Sequence, residues 1–202
     1  MTAGPPDTDA GRLPRLDLPT TAVRDSFLAG ERAICAEDGT PTAWLDEAAA
    51  DFGSLVERRR APRYRWGVPV TELWYVREPD YLGTVMIRHE LTAALRDDGG
   101  HVGYHVVPRY RGQGHATAML AAACDRCRAD GMTRLLVTCR TSNVASRRVI
   151  EVNGGVLDNQ ASGICRFWIT LLPQPAPVPD PDPDPDPAGA FVASPSARIA
   201  FR

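Results

Sequence analysis

The stretch Gly103-Tyr104-His105-Val106-Val107-Pro108-Arg109-Tyr110-Arg111-Gly112-Gln113-Gly114-His115-Ala116-Thr117 constrains this chain most, because it forces a strand, a tight loop and a helix into immediate succession. An apolar, β-branched run stops at Pro108. A turn bearing Arg111, Gly112 and Gly114 follows, and then Ala116, Met119, Leu120, Ala123 and Cys127 recur on one helical face. Such a joint suits an anion: the first N–H groups of a helix have no intrahelical acceptor, and the helix dipole adds partial positive charge there. Gly112 and Gly114 let backbone approach a ligand without a Cβ in the way, and Arg111 supplies a fixed charge for phosphate oxygens.

Two families of glycine loop are excluded by the same residues. A nucleotide P-loop needs Lys-Ser or Lys-Thr after its glycines, and the sequence contains no lysine. The dinucleotide fingerprint needs a glycine or alanine three positions after the second glycine and an acidic residue about 20 further on. Thr117 and the segment from Thr133 to Val137 supply neither.

The stretch resembles motif A of the GNAT superfamily of acyl-CoA-dependent N-acetyltransferases, Arg/Gln-x-x-Gly-x-Gly/Ala after a strand, here Arg111-Gly112-Gln113-Gly114-His115-Ala116. Downstream, a strand at Arg134 to Cys139 precedes Asn143-Val144-Ala145-Ser146-Arg147-Arg148-Val149-Ile150-Glu151 and Asn153-Gly154-Gly155, similar to that family's Asn-x-x-Ser/Ala helix and glycine turn. The resemblance covers Pro69 to Leu172 well and the first 68 residues loosely. It implies an α/β GNAT fold: a mixed, mainly antiparallel sheet flanked by helices and splayed near Val106 to Pro108 to admit acyl-CoA.

At 202 residues the chain is long enough for one domain with a full core, expected over residues 12–172. Charge is nearly balanced, 23 basic against 25 acidic side chains, so bulk electrostatics points to neither nucleic acid nor membrane. The polar N-terminus and the lack of an apolar run of about 18 residues suit a cytoplasmic protein. Five cysteines, scattered through predicted core elements, fit a reducing compartment better than a disulfide framework. Cys124-x-x-Cys127 falls inside a helix with no second pair at ligand spacing, so it reads as packing and no metal is expected.

Residues 1–11 are expected to be disordered. Leu13 to Leu18 alternates like an edge strand. Thr20 or Thr21 can cap a helix with Val23, Phe27 and Ile34 on one face; Gly39-Thr40-Pro41 ends it, and one second helix is expected with Leu45, Ala48, Phe52 and Leu55 inward. By resemblance this helical pair walls the acceptor site. Arg58, Arg59, Arg60, Arg63 and Arg65 form a basic run at its end, either a docking patch or a solvated helix terminus. Val70 to Arg77 and Tyr81 to His89 read as a hairpin forming the second and third strands. A loop or short helix from Glu90 to Gly100 leads into a strand from His101 to Val107. Val156 to Asn159 and Ile164 to Leu172 read as a last strand pair. From Pro173 onward the Asp-Pro alternation cannot make ladder bonds, so residues 173–202 are expected to be an extended, disordered tail.

The resemblance implies acetyl transfer from acetyl-CoA to the primary amine of a small molecule or protein N-terminus, in a ternary complex. A homodimer is compatible with it. It places the backbone of Val106 and Val107 against the pantetheine arm, amides of Gly112, Gln113, Gly114, His115, Ala116 and Thr117 with the Arg111 side chain on the pyrophosphate, and Asn143 on pantetheine or as helix N-cap. Many family members carry a tyrosine seven residues beyond this asparagine; here it is Ile150, and Ser146 is the nearest polar group for the leaving thiolate. Candidate bases are His101, Glu72 and Tyr104, in that order, with His89 and Glu90 behind them. Ile150 also leaves open a catalytically weak acyl-CoA-binding sensor.

Overall fold

The computed structural model describes residues 13–171; the expectations for residues 1–11 and 173–202 lie outside these. The chain runs through β1 (Arg15–Asp17), a 3-10 turn (Thr21–Val23), α1 (Arg24–Asp38), α2 (Ala43–Ala50), α3 (Phe52–Arg60), β2 (Arg63–Arg65), β3 (Val68–Arg77) and β4 (Asp80–Arg88). It continues through α4 (Ala93–Asp97), β5 (Val102–Val106), a 3-10 turn (Pro108–Tyr110), α5 (His115–Ala129), β6 (Arg134–Arg140), α6 (Val144–Val152), β7 (Val156–Ala161) and β8 (Ile164–Thr170).

The strands form two antiparallel sheets. One has the order β1-β3-β4-β5, with β2 also on β3; the other has the order β6-β8-β7. Helices α5 and α6 close the main core, where Met119, Leu120, Ala123 and Cys127 meet Val85, Val137, Ile150 and Phe167. On the other side, α1, α2 and α3 cover a second core built on Phe27, Leu45, Phe52, Trp74 and Tyr81, with Phe27 stacked on Trp74 at 4.4 Å. Cys124 and Cys127 lie buried on α5, and burial pushes their thiols up to about 11 and about 12.

Three expectations change. The single second helix is two, because Asp51 leaves helical geometry (φ −142°, ψ 77°) and its Oδ1 accepts from Ser54 N–H at 3.0 Å. An aspartate is worth more capping a new helix than inside an old one. The basic run is not one helix terminus: Arg63 and Arg65 lie on β2, which becomes the second strand and makes the hairpin third and fourth. Most of the run is also committed internally, Arg59 and Arg63 to Glu72 and Arg60 to the Pro19 carbonyl.

Candidate active site

The edges of the two sheets that face each other are β5 and β6, and they touch only at one end. His101 N–H donates to Leu136 C=O (2.7 Å), Leu136 N–H donates back to His101 Nδ1 (2.8 Å), and Gly99 N–H donates to Thr138 Oγ1 (3.0 Å). Toward Val106 no ladder joins them. Arg88 N–H donates to His101 C=O and Val107 N–H to Leu82 C=O, so by alternation the odd-numbered residues of this strand pair with β4. Val102, Tyr104 and Val106 therefore turn their backbone groups toward the gap. Of the two residues expected along a pantetheine arm, Val106 offers its N–H to the gap. Val107 does not, since its N–H is taken by Leu82 and its C=O accepts from Tyr110 N–H.

Where the strand ends, Gly112 (φ 75°) and Gly114 (φ 82°) take left-handed backbone that other residues avoid. Gly114 is the N-cap of α5 and has no side chain to offer, so the N–H groups of His115, Ala116 and Thr117 lack a capping partner. Arg111 turns back over β5, its Nε donating to Val106 C=O (3.0 Å) and its Nη1 paired with Glu37 (2.7 Å). That pair is half-exposed, a weak competitor for an incoming diphosphate. Gln113 Nε2 donates to Arg109 C=O. Burial, then Arg77, lowers the His115 imidazole, which keeps it neutral beside this helix start. The donor set fits a diphosphate: a row of unpaired N–H groups, two permissive glycines and one guanidinium.

The four catalytic candidates separate. His101 sits at the closed end; its Nδ1 lone pair is taken by Leu136, and burial, then Arg96, brings it down to about 4. With Nδ1 accepting, the neutral ring carries its proton on Nε2, so no lone pair is left for a base. Glu72 is buried, with Oε2 on Arg59 (2.7 Å) and Arg63 (2.5 Å) and Oε1 on Trp74 Nε1 (3.0 Å). Burial would raise its carboxyl, but Arg59 and these hydrogen bonds outweigh it and hold the group low. Glu72 is thus a structural ion-pair hub. His89, bonded to Thr71 Oγ1 (2.8 Å) beyond the end of β4, is likewise engaged. Tyr104 and Ser146 are brought together, hydroxyl to hydroxyl at 2.9 Å, and burial raises the phenol so that it stays protonated. Asn143 caps α6, its Oδ1 accepting from Ser146 N–H (2.9 Å), which leaves its amide N–H₂ for a ligand. Ile150 is buried in the main core.

Sequence reasoning passes over His105. Its side chain lies on the opposite face of β5 from Tyr104, where Nε2 is 3.0 Å from Glu31 Oε1 on α1 and 3.2 Å from Tyr81 Oη. Tyr81 donates to the same Glu31 oxygen (2.6 Å) and meets Thr84 Oγ1 (2.6 Å). Burial, then Glu31, pushes the Tyr81 phenol well up, so it remains a donor. A carboxylate on Nε2–H fixes the tautomer with an open lone pair on Nδ1. Only the fold brings Glu31 to His105, 74 residues on in sequence. Glu31, Thr84 and His105 line a cleft of about 260 Å³ between the helical layer and β4–β5.

Among the described residues no group of His, Cys, Asp or Glu is placed to hold a metal ion, and no helix is long and apolar enough to cross a membrane. No curated protein matches the chain. Solved structures with a similar fold include the GNAT domain of S. lividans PAT, with 16% identity, TM-score 0.55, 81% of this chain and 93% of that one covered. Mycobacterium smegmatis RimJ, in complex with CoA-disulfide, aligns at 22% identity with TM-score 0.55, covering 80% of this chain and 88% of that one. Microcin C7 self immunity acetyltransferase MccE, in complex with acetyl-CoA and AMP, aligns at 13% identity and TM-score 0.53, covering 77% and 91%. The acetyltransferase (GNAT) domain model matches residues 18–156, more than half the chain, and with the parted sheet and the glycine loop already described it shows that the chain belongs to the GNAT acetyltransferase family.

Proposed function

We propose that the protein is an N-acetyltransferase that moves the acetyl group of acetyl-CoA to a primary amine by direct attack in a ternary complex. The observation that carries this is the arrangement around one strand end. The free-facing edge of β5 runs into the Gly112–Thr117 loop, with a base pair of groups, His105 and Glu31, on one face and a hydroxyl pair, Tyr104 and Ser146, on the other. Two reactants held on opposite sides of a strand edge gain most from proximity. In this reading Arg111 and the α5 amides hold the diphosphate, Val106 N–H and the Asn143 amide position the pantetheine arm, and His105 Nδ1 takes the amine proton as the N–C bond forms. The C–S bond breaks toward Tyr104, which Ser146 orients and whose phenol gives its proton to the departing sulfur and regains one from solvent. Similar solved structures hold CoA or acetyl-CoA, which supports the donor. The five cysteines are all free thiols, which supports a cytoplasmic setting.

Acetyl-CoA raises the melting temperature by mass action, and Gly114→Val removes most of that shift, because a branched residue is strained at φ 82°. Amine-dependent release of free CoA completes the test. No shift at saturating acetyl-CoA overturns the reading.

A further inference from the structure

The cleft beside His105 has a second end lined by two arginines, Arg65 and Arg88, that form no ion pair among the described residues. Arg88 on β4 is buried (9% exposed), yet the only hydrogen bonds of its side chain among the described residues run from Nη1 to the carbonyls of Gly99 (2.9 Å) and Gly100 (3.2 Å). Its Nε is buried without a partner, and none of the described carboxylates forms an ion pair with it. Arg65 on β2 also lacks a carboxylate partner among the described residues. Both guanidiniums stack on Trp66, at 4.5 Å for Arg65 and 4.6 Å for Arg88. Trp66 and Gly67 form the turn between β2 and β3 with φ of 55° and 78°, a conformation a bulky residue adopts only at a cost. So a strained turn holds an indole against two like charges at the rim of a cleft that Arg65, Arg88, Glu31 and His105 all line. Burial, then Arg65, lowers the Arg88 guanidinium, and Asp98 offsets this only in part.

We propose that Arg65 and Arg88 bind an anionic group, a carboxylate or phosphate ester, carried by the acceptor, so that the substrate is a small amine with an acid at its far end. Gly103 lies beside this guanidinium with no side chain of its own; a Cβ there would meet Arg88 Nη2 in van der Waals contact at 3.4 Å. Gly103 is two residues from His105 on the same face of β5, a separation of about 7 Å. An amine at His105 and an acid at Arg88 are then joined by a short chain. A planar fork of donors suits carboxylate and phosphate alike, and partial burial strengthens the contact. The identity of the amine's reaction rests on the acetyltransferase reading, whereas the anion site rests on Arg65 and Arg88 alone.

The test uses the full chain with bound CoA and ω-amino carboxylates and ω-aminoalkyl phosphates of roughly three to six carbons, each against the uncharged amine of equal length. Calorimetry reads binding and CoA release reads turnover. Anionic members bind at least tenfold more tightly than their neutral partners, and the tighter of the two series names the acid. Arg65→Gln, on the exposed strand, shrinks that preference severalfold without unfolding the protein, and Arg88→Met removes it. In turnover both variants raise KM for the anionic acceptors while kcat changes little, and KM for neutral amines stays put. No tighter binding by any anionic member, including no binding at all, overturns the proposal whether or not CoA is released. Tight anionic binding with no CoA release from any amine leaves the anion site standing and removes the transferase reading.

Discussion

In the proposed reaction the leaving group falls to Tyr104 and Ser146, 2.9 Å apart, and neither hydroxyl comes from the helix position where the resemblance puts a tyrosine. Ile150 holds that position and is fully buried in the core, so a tyrosine substituted there would have to displace packed neighbours before reaching the gap. The hydroxyl comes instead across from β5. If Ser146 only orients Tyr104, Ser146→Ala removes one neutral hydrogen bond of about 0.5 to 1.5 kcal/mol and slows kcat roughly three- to tenfold with donor binding intact. Tyr104→Phe removes the proton donor itself and costs more, on the order of 10²-fold. Single-turnover rates at saturating donor separate the two; equal losses would show that the hydroxyls act as a unit. On the other face, His105→Ala slows attack by a similar order at neutral pH. That deficit shrinks as pH rises and the amine sheds its own proton, and a deficit independent of pH would assign His105 to binding rather than proton transfer.

At the scale of elements, the sequence is legible where one local signal suffices and illegible where two distant segments must meet. The Gly112–Gly114 loop, the α5 core face and the hairpin follow from β-branching, glycine and spacing alone. The break at Asp51 does not, since an aspartate between apolar residues spaced for one helix reads as a solvent-facing residue until its Oδ1 is seen on Ser54 N–H. The strand Arg63-Tyr64-Arg65 is hidden because it has no apolar alternation; it is held by pairing with β3 and by Glu72. His101 and Glu72 look reactive by residue type and are consumed by structural contacts, whereas the value of His105 depends on Glu31 from α1. Asp51→Ala tests the two-helix layer, since it removes the side-chain acceptor that caps α3. Thermal melting should fall by roughly 2–4 °C, with the acceptor cleft loosened before the main core.

At the scale of the molecule, the gap that the proposed reaction assigns to the donor exists because two sheets are clipped at one end and free at the other, and His101 is the clip. Its backbone N–H and its Nδ1 both bond Leu136, so the side chain supplies one of the few hydrogen bonds between β5 and β6. That bond requires a neutral ring, because a protonated Nδ1 cannot accept from an N–H. The folded-state value of about 4 lies below the ordinary 6.5, so the unfolded chain takes up a proton on this residue before the native one does. The stabilisation is therefore complete above about pH 6.5 and is lost progressively as pH falls toward 4. An asparagine at this position can present Oδ1 to the same Leu136 N–H without titrating. His101→Asn should match the wild type near neutrality to within about 1 kcal/mol and then gain on it as the solution is acidified, because carboxylates common to both proteins cancel. Urea denaturation of the two proteins from about pH 7 to pH 4.5 measures this directly. A gap between their stabilities that stays constant with pH would mean the imidazole is not protonated on unfolding, and that the clip is held by its backbone bonds alone.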